Sequence, residues 1–174
     1  IHILWVNLVT DGLPALALGV DPVDSHSMQR PPRKPDEKVV TKERAWLMLA
    51  QGGFIALCSL AAFSFVFFIE KGGIGRARTA AFIVLSCSQL FHSFNCRSMT
   101  ESLFSIGIGT NKKLILANLV SFSLQMMVVY APFFQRIFQT QALGLTDWFL
   151  VLALSSFPLW AMELMKLLNK KKKI

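Results

Sequence analysis

Trp5-Val6-Asn7-Leu8-Val9-Thr10-Asp11-Gly12-Leu13-Pro14 puts a carboxylate in the middle of an apolar run. Asn7 and Asp11 stand four residues apart with Thr10 between them, so in a helix the three side chains share one face. An ionisable group at membrane depth is costly and is a functional-site hypothesis by default. Gly12 and Pro14 weaken the helical ladder and release backbone carbonyls, which predicts a first helix unwound near Gly12–Pro14. Side-chain and main-chain oxygens gathered there are the ligands a hard cation takes. The competing reading is a polar network that joins helices. Against it, no Lys or Arg of the apolar segments is placed to neutralise Asp11, and interrupted helices facing an ion recur in transporters.

The rest of the chain bears out the word membrane. It has 174 residues, 53% of them hydrophobic, with a mean hydropathy of +0.50. Trp46 to Ile69, Thr79 to Cys96 and Leu114 to Gln135 carry no charge over 24, 18 and 22 residues. Each is close to the roughly 20 residues that cross a hydrocarbon core. Residues 1–20 contain only Asp11, and residues 142–168 hold their charges, Asp147, Glu163 and Lys166, toward the ends. The expectation is an all-α membrane protein of five transmembrane helices, at about residues 1–20, 46–69, 79–96, 113–134 and 147–168.

Charge sets the orientation. Fourteen of the 18 Lys and Arg fall in residues 21–45, 97–113 and the tail from Lys166. By the excess of positive charge on the cytoplasmic side, those three regions and the C-terminus are cytoplasmic, in an integral, multi-pass protein. The net charge of +8 therefore reports topology, and no basic and aromatic module points to nucleic acid. The Lys170 to Lys173 run, in a basic tail over residues 169–174, is read as an orientation signal rather than a lipid-headgroup site. Cys58, Cys87 and Cys96 lack metal or redox spacing and read as free thiols. The chain opens with Ile inside an apolar segment, and is expected to be a C-terminal piece of a longer protein.

Residues 21–45 form a Pro-rich charged loop, Asp21-Pro22-Val23-Asp24 and then Arg30-Pro31-Pro32-Arg33-Lys34-Pro35, whose prolines forbid a continuous helix. Thr41 or Lys42 starts the second helix. Gly72, Gly73 and Gly75 mark a tight turn, Pro132 a break near the end of the fourth helix, and Thr146-Asp147 an N-cap for the fifth. Phosphate-loop, zinc-protease and nucleophile-elbow motifs are absent. On the third helix Gln89, His92 and Ser93 share a face, and Gln89 could lend a neutral oxygen to a cation, although such a face is more often a packing interface. Glu163 is read as pairing locally with Lys166, and Asn118, Ser121, Ser123 and Gln125 as packing.

These residues carry a resemblance. Residues 5–19 with Met28-Gln29-Arg30-Pro31-Pro32-Arg33 look like the sixth transmembrane helix and following loop of P-type calcium ATPases, the sarcoplasmic reticulum type and its bacterial relatives above all. Gln141 to Trp148 and the five-helix plan are similar to the same family's C-terminal region, so residues 1–174 resemble the sixth to tenth helices of a ten-helix domain. The resemblance implies a cation pump (a translocase) that exports Ca²⁺ from the cytoplasm. ATP and Mg²⁺ would be bound by upstream domains, where an Asp is phosphorylated. No Asp-Lys-Thr-Gly occurs here, so the segment holds no catalytic residue and is expected to be inactive alone.

By the same resemblance, Asn7, Asp11 and Thr10 match calcium-coordinating side chains. Gln89 stands where two-site members have a Glu, which implies one ion per cycle. The loop with Asp24, Arg30 and Arg33 matches the one that docks on the phosphorylation domain, with Gln29 in place of an acid. The implied partners are the bilayer, the cell membrane in a bacterium, and the upstream helices and cytoplasmic domains of the same polypeptide. Open alternatives are a pump of the same kind for Mn²⁺, Na⁺ or K⁺, and a fragment of a secondary cation transporter.

Overall fold

A computed structural model describes residues 1–22, 40–98 and 101–171, with side chains as far as Leu168. Asp24, Arg30 and Arg33, and residues 172–174 of the basic tail, lie outside the described residues.

The first helix is continuous but changes register. Helix α1 (His2–Trp5) runs into a π-helical segment (Val6–Asp11), which runs into α2 (Gly12–Leu18). The expected unwinding at Gly12–Pro14 is corrected: Gly12 has ordinary helical angles (φ −63°, ψ −49°) and Pro14 lies in the first turn of α2. Because α2 runs on from the π segment, the missing Pro14 N–H falls inside the helix and leaves a carbonyl of the preceding turn short of a donor. The irregularity falls just upstream, as one wide turn on Asn7, Thr10 and Asp11.

Helix α3 (Lys42–Ser64) starts where Thr41 caps it, the Thr41 hydroxyl accepting from the Arg44 N–H at 3.3 Å, and ends in a π turn (Phe65–Ile69). The turn to α4 (Gly73–Asn95) requires Gly73 at φ +78°, a conformation open mainly to glycine. Helix α5 (Leu103–Ile106) and a 3-10 turn (Ile108–Thr110) fill the next loop. Helix α6 (Lys112–Tyr130) stops two residues before Pro132, because Ala131 is extended (ψ 125°), and α7 (Pro132–Phe138) restarts with the proline at its N-terminus. Helix α8 (Leu145–Lys171) completes the chain. It begins before the expected Thr146-Asp147 cap, and the Asp147 carboxylate still accepts the Gly144 N–H, at 2.8 Å. No strand occurs among the described residues.

Three helices are long and apolar enough to cross a membrane: Lys42–Ile69, Lys112–Tyr130 and Leu145–Leu168. The stretch His2–Leu18 is apolar but shorter. Helix α4 is the polar, buried axis of the bundle, packed against α3, α6, α8 and the first helix. Ala77, Ala80, Ile83, Val84 and Cys87 on α4 meet Ala62, Val66, Val128, Val129 and Val151 in the core. Small residues let helix backbones approach where lipid supplies no hydrophobic drive. Cys58 and Cys87 are buried free thiols, whereas Cys96 is exposed.

Polar clasps close the two ends of the bundle. At one end Arg97 binds Asp21 and Lys166 binds Glu163, at 3.0 Å each. At the other Arg76 binds Asp147 at 2.7 Å and Glu70 at 3.1 Å. The Glu163–Lys166 pair expected from sequence is present and takes more: Glu163 also accepts from the Ser102 hydroxyl and the Leu103 N–H.

Candidate ion site on the first helix

Asn7, Thr10 and Asp11 all lie in the π-helical segment. Its cause is legible in the covalent chemistry of Pro14, which has no N–H to give to the carbonyls four and five residues back, Thr10 and Val9. The Val9 carbonyl is taken by the Ser121 hydroxyl of α6 at 2.7 Å. The Thr10 hydroxyl donates to the Val6 carbonyl at 2.7 Å, leaving its oxygen lone pairs unspent. Wide turns of this kind occur mostly at functional sites.

The three side chains differ in exposure. Thr10 is buried, Asp11 is half-buried and Asn7 is exposed. Asn7 stands on a face with Ile3, Leu4 and Leu8, each more than 70% exposed. Among the described residues the Asn7 and Asp11 side chains have no hydrogen-bond partner, and Asp11 has no cationic one. Four other acids differ: Asp21, Glu70, Asp147 and Glu163 each hold an Arg or a Lys, whereas Glu43 and Glu101 have no cationic partner among the described residues.

Gln89 lies half-buried on α4, which packs against the π segment, and its side chain has no hydrogen-bond partner among the described residues. On the same helix Ser93 and Asn118 bond each other across to α6 at 3.0 Å, so that part of the polar face is packing. No three His, Cys, Asp or Glu come together among the described residues. An apolar cavity of about 210 Å³ between α4, α6 and α8 is lined almost wholly by carbon and suits no cation. The chain thus presents one carboxylate, one amide and one hydroxyl on a wide helical turn, oxygen donors of the kind a hard cation takes.

Sequence reasoning missed the residues that hold this turn. Trp5 Nε1 donates to Gln125 Oε1 at 2.9 Å, Ser121 Oγ to the Val9 carbonyl, and Asn111 Nδ2 to the Ala17 carbonyl at 3.1 Å. Ser121 and Gln125 at i and i+4 share a face of α6, which was the available signal. What that face meets is invisible from one helix.

Known proteins match throughout. The family described as "Cation transporting ATPase, C-terminus" matches residues 1–168. The chain is 44% identical over 185 residues to "Calcium-transporting ATPase 1" of Bacillus cereus (strain ATCC 10987 / NRS 248), covering 98% of this chain and 21% of that protein. It is 42% identical over 171 residues to "Calcium-transporting ATPase" of Bacillus subtilis (strain 168), covering 98% and 19%. It is 35% identical over 173 residues to "Calcium-transporting ATPase type 2C member 2" of Rattus norvegicus, covering 97% and 18%. The chain therefore spans about a fifth of the length of these relatives.

Proposed function

The chain belongs to the cation-transporting ATPases, as their C-terminal membrane region, and from that premise we propose that it supplies one side of the ion site of an ATP-driven Ca²⁺ pump. The observation that carries the reading is Asp11. Among the described residues it is a carboxylate within an apolar helix that has no cationic partner, and it stands on a wide turn beside Asn7 and Thr10. An Asn on an otherwise apolar exposed face supports a protein neighbour there rather than lipid.

In this reading Asp11 supplies charge, and Asn7, Thr10 and main-chain carbonyls supply neutral oxygens toward the about 6–8 that Ca²⁺ takes. The remaining ligands come from upstream helices of the same polypeptide, and ATP and Mg²⁺ from upstream domains. Gln89, neutral and without a partner among the described residues, is the helix-to-helix contribution on this side, and because an amide stands there in place of a carboxylate the reading is one ion per cycle. All five helical stretches cross the bilayer, with the Arg97 end and the C-terminus cytoplasmic, and the loop carrying Asp24, Arg30 and Arg33 reaches the phosphorylation domain. Two packings of the helices, one exposing this ligand set inward and one dismantling it, would move the ion.

The test is ATP-driven Ca²⁺ uptake into vesicles carrying the full-length protein, wild type against Asp11→Asn. The expected outcome is uptake in the wild type and none in the variant, with both inserted at equal level. Uptake unaffected by Asp11→Asn removes Asp11 from the path, and uptake of Mn²⁺, Na⁺ or K⁺ in place of Ca²⁺ changes the ion.

A further inference from the structure

Hydroxyl side chains in these helices mostly spend their proton on their own helix. Thr10 donates to Val6, Ser59 to Ile55, Thr79 to Gly75, Ser86 to Phe82 and Ser123 to Leu119, each on the carbonyl four residues back. This is the default for Ser and Thr inside a helix. Ser121 departs from it. Fully buried on α6, it reaches across to the Val9 carbonyl at 2.7 Å.

The acceptor matters as much as the donor. Val9 lies inside the π segment, five residues before Pro14. In a wide turn its carbonyl would look five residues ahead for an N–H, and Pro14 has none. A carbonyl left without a donor in an apolar bundle is costly, so the wide turn persists only where something else satisfies it. Ser121 does so from outside the helix. The Trp5–Gln125 bond lies a turn to one side and the Asn111–Ala17 bond two turns to the other, so the two helices are pinned in one register.

We propose that Ser121 is a positioning residue for the ion site: by holding the Val9 carbonyl it fixes the wide turn that sets Asn7, Thr10 and Asp11 relative to one another. It also directs that carbonyl away from the ion, so the site takes its oxygens from the remaining groups of the turn. The inference rests on the reading of Asp11 as an ion ligand. It adds a residue that never touches the ion and yet governs its affinity.

The experiment measures the Ca²⁺ dependence of ATP hydrolysis by the full-length protein in vesicles, for wild type, Ser121→Ala, Ser121→Thr, Ser123→Ala and Asp11→Asn. For Ser121→Ala the half-saturating Ca²⁺ concentration rises about fivefold, the effect of about one net hydrogen bond, while the rate at saturating Ca²⁺ stays near that of the wild type. Ser121→Thr keeps the hydroxyl and restores the wild-type value. Ser123→Ala, which removes an exposed hydroxyl bonded within its own helix, leaves the value unchanged.

An unshifted Ca²⁺ dependence in Ser121→Ala overturns the proposal, as does an equal shift in Ser123→Ala. Should Ser121→Ala fail to insert, Ser121→Cys, of nearly the same size and a weaker donor, carries the same expectation and the same refutation. If Asp11→Asn abolishes Ca²⁺-dependent hydrolysis and Ser121→Ala is silent, only the positioning role falls. If Asp11→Asn is itself silent, the ion-site reading falls with it.

Discussion

Arg76 holds two carboxylates at once, Asp147 through Nε at 2.9 Å and Nη2 at 2.7 Å, and Glu70 through Nη2 at 3.1 Å. One guanidinium cannot neutralise both fully. Burial, and then the neighbouring Asp147, push the Glu70 carboxyl above its ordinary value of 4.5, with Arg76 pulling the other way. A carboxyl whose folded value is raised contributes stability at low pH and loses it as pH rises through that value. Glu70→Gln should therefore flatten the loss of melting temperature from about pH 4.5 upward without changing Ca²⁺ affinity, since the cluster sits at the end of the bundle away from Asp21 and Arg97. Melting curves of the full-length protein in detergent across pH check this, and parallel pH profiles for wild type and variant would refute it. The comparison also defines Asp11, whose charge has no such partner among the described residues.

The first helix shows how an element can be helical and still irregular. Gly12 explains none of it: its angles are ordinary, and an added Cβ would meet only the Asn7 carbonyl at 3.6 Å, an ordinary contact. Pro14 explains it, through a missing N–H that leaves a carbonyl behind it in want of a donor. Pro14→Ala restores the donor and lets a regular turn compete with the wide one. Because the Ser121 hydroxyl already meets the Val9 carbonyl, the regained donor adds little, and stability should change by less than about 1 kcal/mol. The half-saturating Ca²⁺ concentration should rise about tenfold, about 1.4 kcal/mol, as Asn7 and Asp11 move off their common geometry. Ca²⁺-dependent hydrolysis beside a thermal melt separates the two effects. Unchanged affinity would show that the turn does not depend on Pro14.

At the scale of the whole molecule the chain is tied at its ends and loosely greased between them. Arg97, with a side chain 2% exposed, bonds both oxygens of Asp21, the Gly107 carbonyl at 2.8 Å and the Thr110 hydroxyl at 2.6 Å. Asn111 adds bonds to Asp21 at 2.9 Å and to the Ala17 carbonyl. The clasp joins the end of the Asp11 helix to the end of α4 and to the loop before α6. Arg97→Met strands Asp21 and two loop acceptors, and should lower stability by about 3 kcal/mol. Arg97→Lys should recover only part of it, since an ammonium cannot span the fork of partners that a guanidinium reaches. The thermal midpoints of the three full-length proteins decide the matter, and a Lys variant as stable as wild type would reduce the clasp to a simple charge pair.

Much of this architecture was legible in the amino acids alone. Hydropathy and charge are properties of each segment by itself, so the helical stretches, the Thr41 start, the Pro132 break and the Glu163–Lys166 pair followed directly from the residues. So did the candidate site, because a carboxylate in an apolar run is costly wherever the run lies. Its shape did not follow. The wide turn needs a donor from another helix, and whether Ser121 faces Val9 or its own backbone depends on how α6 rotates against the first helix. The clasps are of the same kind: Arg76 and Asp147 are 71 residues apart and Arg97 and Asp21 are 76, and in sequence Asp147 reads as part of a helix cap and Asp21 as part of a Pro-rich loop. Composition determines which segments enter the bilayer and which groups are expensive there, since that cost is local. Only the packed bundle decides which expensive groups satisfy each other and leaves Asp11 without a cationic partner among the described residues, since pairing depends on the directions of side chains from helices far apart in sequence.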